Sequence, residues 1–165
     1  MQNKSQFSRD FRNSRLGIST ILKGHNGCVN CLEWNRAGSI LISGSDDLTV
    51  NIWRPFSSGS HAEPVDGHKK SAVIKPVASH LTQHVANIFG VKFLQDERVM
   101  ATCAADGMAF IIDIETNAVN NKYNHEARVK RLAVSCPNTF YSACEDGNVS
   151  VKIFNINSTK FFRRN

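Results

Sequence analysis

A histidine, a hydroxyl residue and an aspartate recur three times along this chain at nearly constant spacing. Such residues could form a nucleophilic triad, in which the histidine activates the hydroxyl and the aspartate orients the histidine. Three regularly spaced copies are instead typical of a structural network that satisfies buried polar groups. We therefore expect no catalytic residues and no enzyme activity. The three sets are His25, Ser43 and Asp47; His84, Thr102 and Asp106; and His125, Ser142 and Asp146.

Cys28 and Cys31 form a C-x-x-C pair, which could supply two ligands to a zinc ion. A structural zinc site commonly takes its other ligands from a second such pair, and Cys103, Cys136 and Cys144 do not form one. Five cysteines are also an odd number, which argues against a disulfide framework. We expect buried free thiols, with packed or exposed thiols at Cys28 and Cys31, no metal site and no cofactor.

Apolar residues follow each histidine at the same three offsets, four, seven and nine residues on. A regular strand alternates its faces with a period of two, so the step from four to seven needs one additional residue. A β-bulge supplies such a residue. The pattern therefore predicts a bulged strand after each histidine. The apolar positions are Val29, Leu32 and Trp34; Ile88, Val91 and Phe93; and Val129, Leu132 and Val134.

The spacing between the repeats indicates their size. His84 and His125 are 41 residues apart, which fits the roughly 40 to 45 residues of one four-stranded propeller blade. His25 and His84 are 59 residues apart, so the first interval carries extra residues. We predict a polar insertion within residues 57–80, and an outer strand of the first repeat over residues 73–78.

The Gly-His start, the Asp turn and the Trp ending of residues 24–53 resemble a WD repeat. The resemblance implies an all-β fold of WD40 β-propeller blades, and a hydrogen-bonded tetrad of His25, Ser43, Asp47 and Trp53. The second repeat has Ile112 where the tryptophan is expected. In the third repeat the corresponding ending is displaced, because Phe154 comes two residues late.

Three WD repeats give an incomplete propeller, since such rings close with about four to eight blades. We therefore predict a piece of a longer propeller with exposed blade faces. Residues 1–17 are predicted as a basic leader that could form a docking helix, and 157–165 as a basic tail. The three repeats occupy residues 18–156, with blade cores at about 24–54, 84–113 and 125–155.

The net charge of +6 belongs to the two ends of the chain. Residues 24–151 hold 11 basic and 13 acidic residues of the totals of 20 and 14, so the body is near neutral and favours protein partners over nucleic acid. No apolar run approaches the roughly 18 residues of a membrane span, and the start carries no secretory signal. We expect no membrane partner and a location in the cytoplasm or nucleus.

The phrases GCVNCLEWN, HVANIFGVKF, RVKRLAV and PNTFYSACEDG are more specific than general blade motifs. They resemble the first three blades of substrate receptors of the cullin-4 RING ubiquitin ligase, and among them the WD and tetratricopeptide repeat proteins. The resemblance implies a non-catalytic receptor that docks on the ligase adaptor and presents a client for ubiquitin transfer. The client is unknown, and histones are one candidate.

In such receptors docking often uses a helix before the propeller and a Trp-Asp-x-Arg ending on particular blades. The resemblance assigns that helix to the leader, with Phe7, Phe11 and Leu16 on its apolar side. The blade endings after Trp53, Ile112 and Phe154 all lack the arginine.

The family's partner-binding face is reached by residues three and five after each histidine and by the residue before each aspartate. Phe89 beside two basic residues is the best candidate anchor, because aromatics and arginine are enriched in interface hot spots. The alternative is an ordinary solvated rim. A hypothesis of another class is nucleic-acid or chromatin binding through Arg128, Lys130, Arg131 and the basic ends. The candidate face comprises Cys28, Asn30, Asp46, Asn87, Phe89, Ala105, Arg128, Lys130 and Glu145.

Overall fold

The computed structural model describes residues 20–56, 63–64, 72–94 and 97–154. Their regular elements are β-strands, as the all-β prediction requires. None of the described residues forms a helix long and apolar enough to cross a membrane. The strands are β1 (Thr20–Leu22), β2 (Val29–Trp34), β3 (Leu41–Ser45), β4 (Thr49–Trp53), β5 (Glu63–Pro64), β6 (Ala72–Ile74), β7 (Ala78–Leu81), β8 (Ile88–Phe93), β9 (Val99–Ala104), β10 (Met108–Asp113), β11 (Val119–Asn124), β12 (Val129–Cys136), β13 (Thr139–Cys144) and β14 (Val149–Ile153).

Three antiparallel sheets follow one another along the chain, one for each repeat. Their strand orders are β2-β3-β4-β7, β8-β9-β10-β11 and β12-β13-β14. Each is a blade whose strands are joined by hairpin turns, and we number them blades one to three. The hairpins between the second and third strands turn at Asp47, Asp106 and Asp146, where short polar side chains cap the turn.

The predicted bulge is present in the first strand of every blade. The register shifts between Val29 and Cys31, between Ile88 and Gly90, and again after Val129. The residues thereby set outside the regular pairing are Asn30, Phe89 and Lys130. A bulge bends the strand and redirects a side chain, so these three residues occupy corresponding positions in the three blades.

Two apolar clusters hold the blades together. The first joins blades one and two, where Ile42 and Val50 of blade one meet Ile88 of blade two, and all three are fully buried. The second joins blades two and three around Cys103, Ile111 and Phe140. The core of the chain therefore lies between neighbouring blades, because each sheet can cover its apolar face only with the next sheet.

The outer strand of blade one differs from the prediction. Residues 73–78 were predicted to form it, but β7 begins at Ala78 and pairs with β4, while β6 pairs with β1 and β5 in a separate three-stranded sheet. Pro76 has no backbone N–H, and hydrogen bonding to β4 begins just after it, where Val77 N–H donates to the carbonyl of Ile52 at 2.8 Å.

Blade three has three strands within the described residues, and its third strand, β14, lies at the sheet edge. The predicted leader, most of the predicted insertion, and the predicted tail lie outside the described residues. The same is true of Phe7, Phe11 and Leu16, and of the end of the third repeat after Phe154.

Candidate functional site

Blade one contains a complete four-residue network. His25 Nδ1 lies 3.0 Å from Asp47 Oδ2, and His25 Nε2 lies 2.7 Å from Ser43 Oγ. Trp53 Nε1–H donates to the same Ser43 oxygen at 2.8 Å. The network therefore ties the turn after β1 to β3, to the β3–β4 turn and to the end of β4.

Blade two keeps the core of this network. His84 lies 2.9 Å from both Asp106 Oδ2 and Thr102 Oγ1. Ile112 occupies the position of Trp53, because it pairs with Met100 as Trp53 pairs with Leu41. The Phe110 ring stacks on His84 instead, with centroids 4.3 Å apart. An apolar contact thus replaces the indole hydrogen bond.

Blade three has only half of the network. His125 Nε2 lies 2.7 Å from Ser142 Oγ, but its buried Nδ1 has no hydrogen-bond partner. Asp146, which the spacing grouped with His125, accepts hydrogen bonds from the N–H and side-chain amide of Asn148 at 3.0 and 2.8 Å. The structure thus brings His125 to Ser142 and does not bring Asp146 to His125.

The identity of one residue explains the difference. Two residues after the aspartate, blade one has Thr49, whose hydroxyl donates to Asp47 Oδ1 and leaves Oδ2 for His25. Asn148 reaches Asp146 Oδ2 itself, the oxygen that contacts the histidine in the other two blades. The tryptophan position is also changed, because Lys152 pairs with Phe140 there, while Phe154 is buried in the core.

The electrostatics agree with a structural role. Burial raises the pKa of Asp47, but hydrogen bonds from Thr49, Asn26 and His25 outweigh it and hold this pKa below its usual value. Burial lowers the pKa of His84 against the opposing effect of Asp106. Burial and the charge of Lys152 lower the pKa of His125. These environments favour charged Asp47 and neutral His84 and His125.

The three hydroxyls cannot reach a substrate. Ser43 is 1% exposed, and Thr102 and Ser142 are fully buried. Ser43 also accepts a hydrogen bond from Trp53. A nucleophile must contact the reacting atom, so these buried hydroxyls fit a structural role in which they connect the strands of each blade.

The candidate partner-binding face brings blades two and three together. Lys130 Nζ lies 4.7 Å from the centroid of the Phe89 ring. Glu145 lies between two basic groups, 3.6 Å from Lys130 Nζ and 3.7 Å from Arg128 Nη1. Arg128 and Glu145 are largely exposed, whereas Phe89 is half-buried. The bulges at positions 89 and 130 place these side chains beside each other.

Blade one contributes Asn30 to the candidate partner-binding face. Its amide donates to Asp46 Oδ1 at 2.6 Å and to the carbonyl of Ile88 at 3.0 Å, which links blades one and two. Asn87 and Cys28 are exposed, and the Asn87 carbonyl accepts from the backbone N–H of Ala105. Asn30, Asn87 and Cys28 thus belong to the candidate partner-binding face, but no side-chain hydrogen bond joins Asn30 to Asn87.

Sequence reasoning missed two links between blades. Arg131 donates from Nη1 to the carbonyl of Phe89 at 3.2 Å, and Lys92 Nζ pairs with Glu33 Oε2 at 2.6 Å. Arg131 was assigned only to the nucleic-acid alternative. Charged residues recur in the bulged first strand of each blade, and this repeated pattern in the sequence could have suggested these contacts.

No group of ligands that could hold a metal ion occurs among the described residues. The five cysteines are free thiols, but the predicted burial is wrong for Cys136, which is exposed at the end of β12. Burial raises the pKa of Cys31 to about 11. Its Sγ faces the carbonyl of Gly44 at 3.7 Å, and Cys31 packs against the apolar cluster that joins blades one and two.

Comparison with known proteins agrees with this geometry. Residues 17–54 and 74–113 match the family "WD domain, G-beta repeat". The C-terminal WD40 domain of Sif2 has a similar structure, with a TM-score of 0.61 and 21% identity over 80% of this chain and 33% of that one. The chain therefore contains WD40 repeats folded as β-propeller blades, which confirms the predicted fold class. The third repeat has the first three strands of the same plan among the described residues, although the family match does not include it.

Two relatives are similar to this chain over most of its length. Human WD and tetratricopeptide repeats protein 1 is 43% identical over 138 residues, which cover 81% of this chain and 18% of that protein. Human DDB1- and CUL4-associated factor 6 is 31% identical over 143 residues, covering 82% and 15%. The chain thus spans less than a fifth of the length of these relatives.

Proposed function

We propose that this chain is a non-catalytic protein-interaction scaffold that acts as a substrate-receptor subunit, or as part of one, of a cullin-4 RING ubiquitin ligase. The observation that carries the scaffold role is the face that Phe89, Arg128, Lys130 and Glu145 form across two blades. The similarity to one relative, DDB1- and CUL4-associated factor 6, supports the ligase role. For the chain itself we propose a location in the cytoplasm or nucleus.

The face has the composition of a protein-binding surface. It combines an aromatic ring with two basic side chains and a carboxylate, and aromatic and arginine residues carry much of the energy of protein interfaces. Glu145 contacts both basic groups only at 3.6 and 3.7 Å and is itself exposed. An acidic side chain of a client could therefore replace Glu145 as the partner of Arg128 or Lys130.

Binding to the cullin-4 adaptor is tested with the purified adaptor and the tagged 165-residue chain. We expect the adaptor to be recovered, and deletion of residues 1–16 to weaken recovery because it removes Phe7, Phe11 and Leu16. A Phe89→Ala, Lys130→Glu variant is the matched control and should still recover the adaptor. If the full chain recovers none, the ligase proposal fails and a general WD-repeat scaffold remains.

Client binding is tested separately in lysate. The Phe89→Ala, Lys130→Glu variant should lose proteins that the unaltered chain captures, while a Val85→Lys variant, changed at an exposed position that is not one of these four residues, should keep them. Equal capture by all three proteins would contradict the assignment of the face.

The nucleic-acid alternative has less support. The two basic residues of the face lie beside Glu145, which reduces the positive potential available to phosphates. Binding of duplex DNA that falls steeply with salt, and that Lys130→Glu abolishes, would favour this alternative.

A further inference from the structure

The connection between β1 and β2 contains Asn26-Gly27, the one Asn-Gly pair of the sequence. Asparagine followed by glycine tends to lose ammonia in water, because glycine has no side chain to keep its backbone nitrogen away from the amide carbon of the asparagine. Asn26 is exposed to solvent. Water, which this reaction consumes, therefore has access to the pair.

Both reacting groups are available in the folded chain. Within the part of the chain that the structure describes, neither the side-chain amide of Asn26 nor the backbone N–H of Gly27 takes part in a hydrogen bond. The backbone N–H of Asn26, in contrast, donates to Asp47 Oδ2 at 2.8 Å. The attack of the Gly27 nitrogen on the amide carbon of Asn26 thus breaks no hydrogen bond between described residues.

The close packing of Gly27 favours a residue without a side chain at this position. A Cβ added at Gly27 would lie 2.8 Å from the backbone nitrogen of Asp47 and 3.1 Å from Ser45 Oγ. Both distances are shorter than the roughly 3.5–4.0 Å of favourable packing contacts. A larger residue, which would shield the backbone nitrogen and slow the reaction, is therefore disfavoured in blade one.

The other two blades have no such pair. The corresponding residues are Val85-Ala86 in blade two and Glu126-Ala127 in blade three, and neither valine nor glutamate has a side-chain amide. Val85 nevertheless makes the same backbone contact as Asn26, because its N–H donates to Asp106 Oδ2 at 3.0 Å. The connection can therefore form without an asparagine, and the reactive pair is particular to blade one.

We propose that Asn26 is a site of spontaneous covalent modification, at which the folded chain converts asparagine into a mixture of aspartate and isoaspartate. The backbone nitrogen of Gly27 bonds to the side-chain carbonyl carbon of Asn26, the bond from that carbon to the amide nitrogen breaks, and ammonia leaves with the proton of the Gly27 nitrogen. The resulting cyclic imide takes up one water molecule. Hydrolysis at its side-chain carbonyl gives aspartate, and hydrolysis at its main-chain carbonyl gives isoaspartate.

Both products place a negative charge beside the network of blade one. Because the N–H of residue 26 is 2.8 Å from Asp47 Oδ2, a carboxylate gained by the same residue lies near the carboxylate of Asp47. Like charges at short distance repel each other. Asp47 uses its carboxylate to hold His25 and Thr49, so the modification weakens the contacts that fix the β3–β4 turn.

The modification also affects the candidate partner-binding face. Cys28 follows the pair directly, and its carbonyl accepts a hydrogen bond from the N–H of Asp46 at 3.0 Å. Both of these residues belong to that face. Isoaspartate lengthens the main chain by one carbon atom just before this contact. The reaction needs only water and is independent of the proposed ligase role.

Mass spectrometry of the full chain tests the site. The chain is incubated at physiological temperature and mildly alkaline pH, and trypsin then releases the peptide from Gly24 to Arg36. This peptide should gain the mass difference between an amide and an acid before any other asparagine reacts, and the new oxygen should come from isotopically labelled water. Asn26→Gln should abolish the gain. Asn87→Gln, the matched control at an exposed asparagine that precedes isoleucine, should leave it unchanged.

Comparison of the folded chain with the urea-unfolded chain separates the effect of the fold from that of the sequence. Modification of Asn26 in both states supports the proposal. Modification in the unfolded chain alone, or equally rapid modification of several asparagines in the folded chain, would overturn it.

The effect on Asp47 is measured with freshly prepared Asn26→Asp, which carries the charge of the product. At low salt this variant should unfold at a lower urea concentration than Asn26→Gln, because the new carboxylate repels that of Asp47. Equal midpoints for the two variants would overturn the assigned effect on the network of blade one.

Discussion

Lys130 places its ammonium nitrogen 4.7 Å from the centre of the Phe89 ring, across the boundary between blades two and three. Both residues lie at the bulge of the first strand of their blade. The backbone of Phe89 is held as well, because its carbonyl accepts a hydrogen bond from Arg131. The bulges thus turn two residues 41 positions apart into one contact on the candidate partner-binding face.

This contact should contribute a measurable coupling energy. We expect a double-mutant cycle of Phe89→Leu and Lys130→Met to give about 0.5–1 kcal/mol in urea unfolding, the usual range for a partly exposed cation–π pair. The control cycle replaces Lys130→Met with Arg128→Met and should give a coupling close to zero. Equal coupling in both cycles would show that the ring does not recognise Lys130 in particular.

The two serines of the networks should differ in their contribution to stability. Ser43→Ala removes the partner of both His25 and Trp53, so we expect a loss of about 2–6 kcal/mol, at about 1–3 kcal/mol for each of the two buried groups left unpaired. Ser142→Ala removes the partner of His125 alone and should cost about half as much. Chemical denaturation of both variants provides the comparison, and a larger loss for Ser142→Ala would contradict it.

Replacement of Asn148 should complete the network of blade three. In Asn148→Thr the hydroxyl can bind Asp146 Oδ1 as Thr49 binds Asp47, which frees Oδ2 for the unpartnered Nδ1 of His125. We expect the pKa of His125 to rise, because a nearby carboxylate favours the imidazolium. NMR titration of the histidine ring measures this shift, and Thr49→Asn in blade one is the reciprocal control. An unchanged or lower pKa would argue against competition by Asn148.

The folded chain should lose stability as the pH falls below about 6.5, the ordinary pKa of histidine. Burial lowers the pKa of His84 in the folded state, with Asp106 opposing, and that of His125 is lowered too. The unfolded chain, with histidine pKa values of about 6.5, then binds protons first as the pH falls, so stability is full above this value and decreases below it. Urea unfolding from pH 8 to pH 5.5 tests this, and His84→Gln should flatten the profile. A stability that rises as the pH falls would contradict the predicted direction of the pH dependence.

The exposed and the buried thiols should react with a disulfide reagent at different rates. Cys28 and Cys136 are exposed, whereas Cys103 is buried and burial raises its pKa. A disulfide reagent at neutral pH should therefore modify two thiols rapidly and reach Cys103 only on unfolding. The Cys28→Ser, Cys136→Ser variant should lack the rapid phase, and a rapid phase that persists would contradict the assigned burial.

Local patterns in the sequence were sufficient for much of the fold. The offsets of four, seven and nine after each histidine predicted the first strands with their bulges, because the period of a strand and its interruption are both local. The repeat also predicts strands in blade two over residues 88–93, 98–103, 108–113 and 118–123, and β8 to β11 lie within one residue of these ranges. The repeat of histidine, hydroxyl and aspartate likewise indicated which polar residues meet in blades one and two.

The outer strand of blade one could not be predicted in this way. Residues 72–74 and 78–81 both have strand-like composition, and the choice between them depends on which distant strand each one meets. β6 pairs in parallel with β1, 52 residues earlier, and Pro76 delays the pairing of the following segment with β4. Such competition between pairings is settled by the whole sheet and not by the segment itself.

The sequence by itself therefore determined the repeats, the bulges, the free thiols and the residues available to each network. The tertiary structure alone decided which of these residues meet. In the folded chain Asp146 accepts a hydrogen bond from Asn148 and none from His125, since the two side chains compete for one carboxylate. The tertiary structure also joined Phe89 to Lys130 and Arg131, because contacts between blades depend on how the sheets stack.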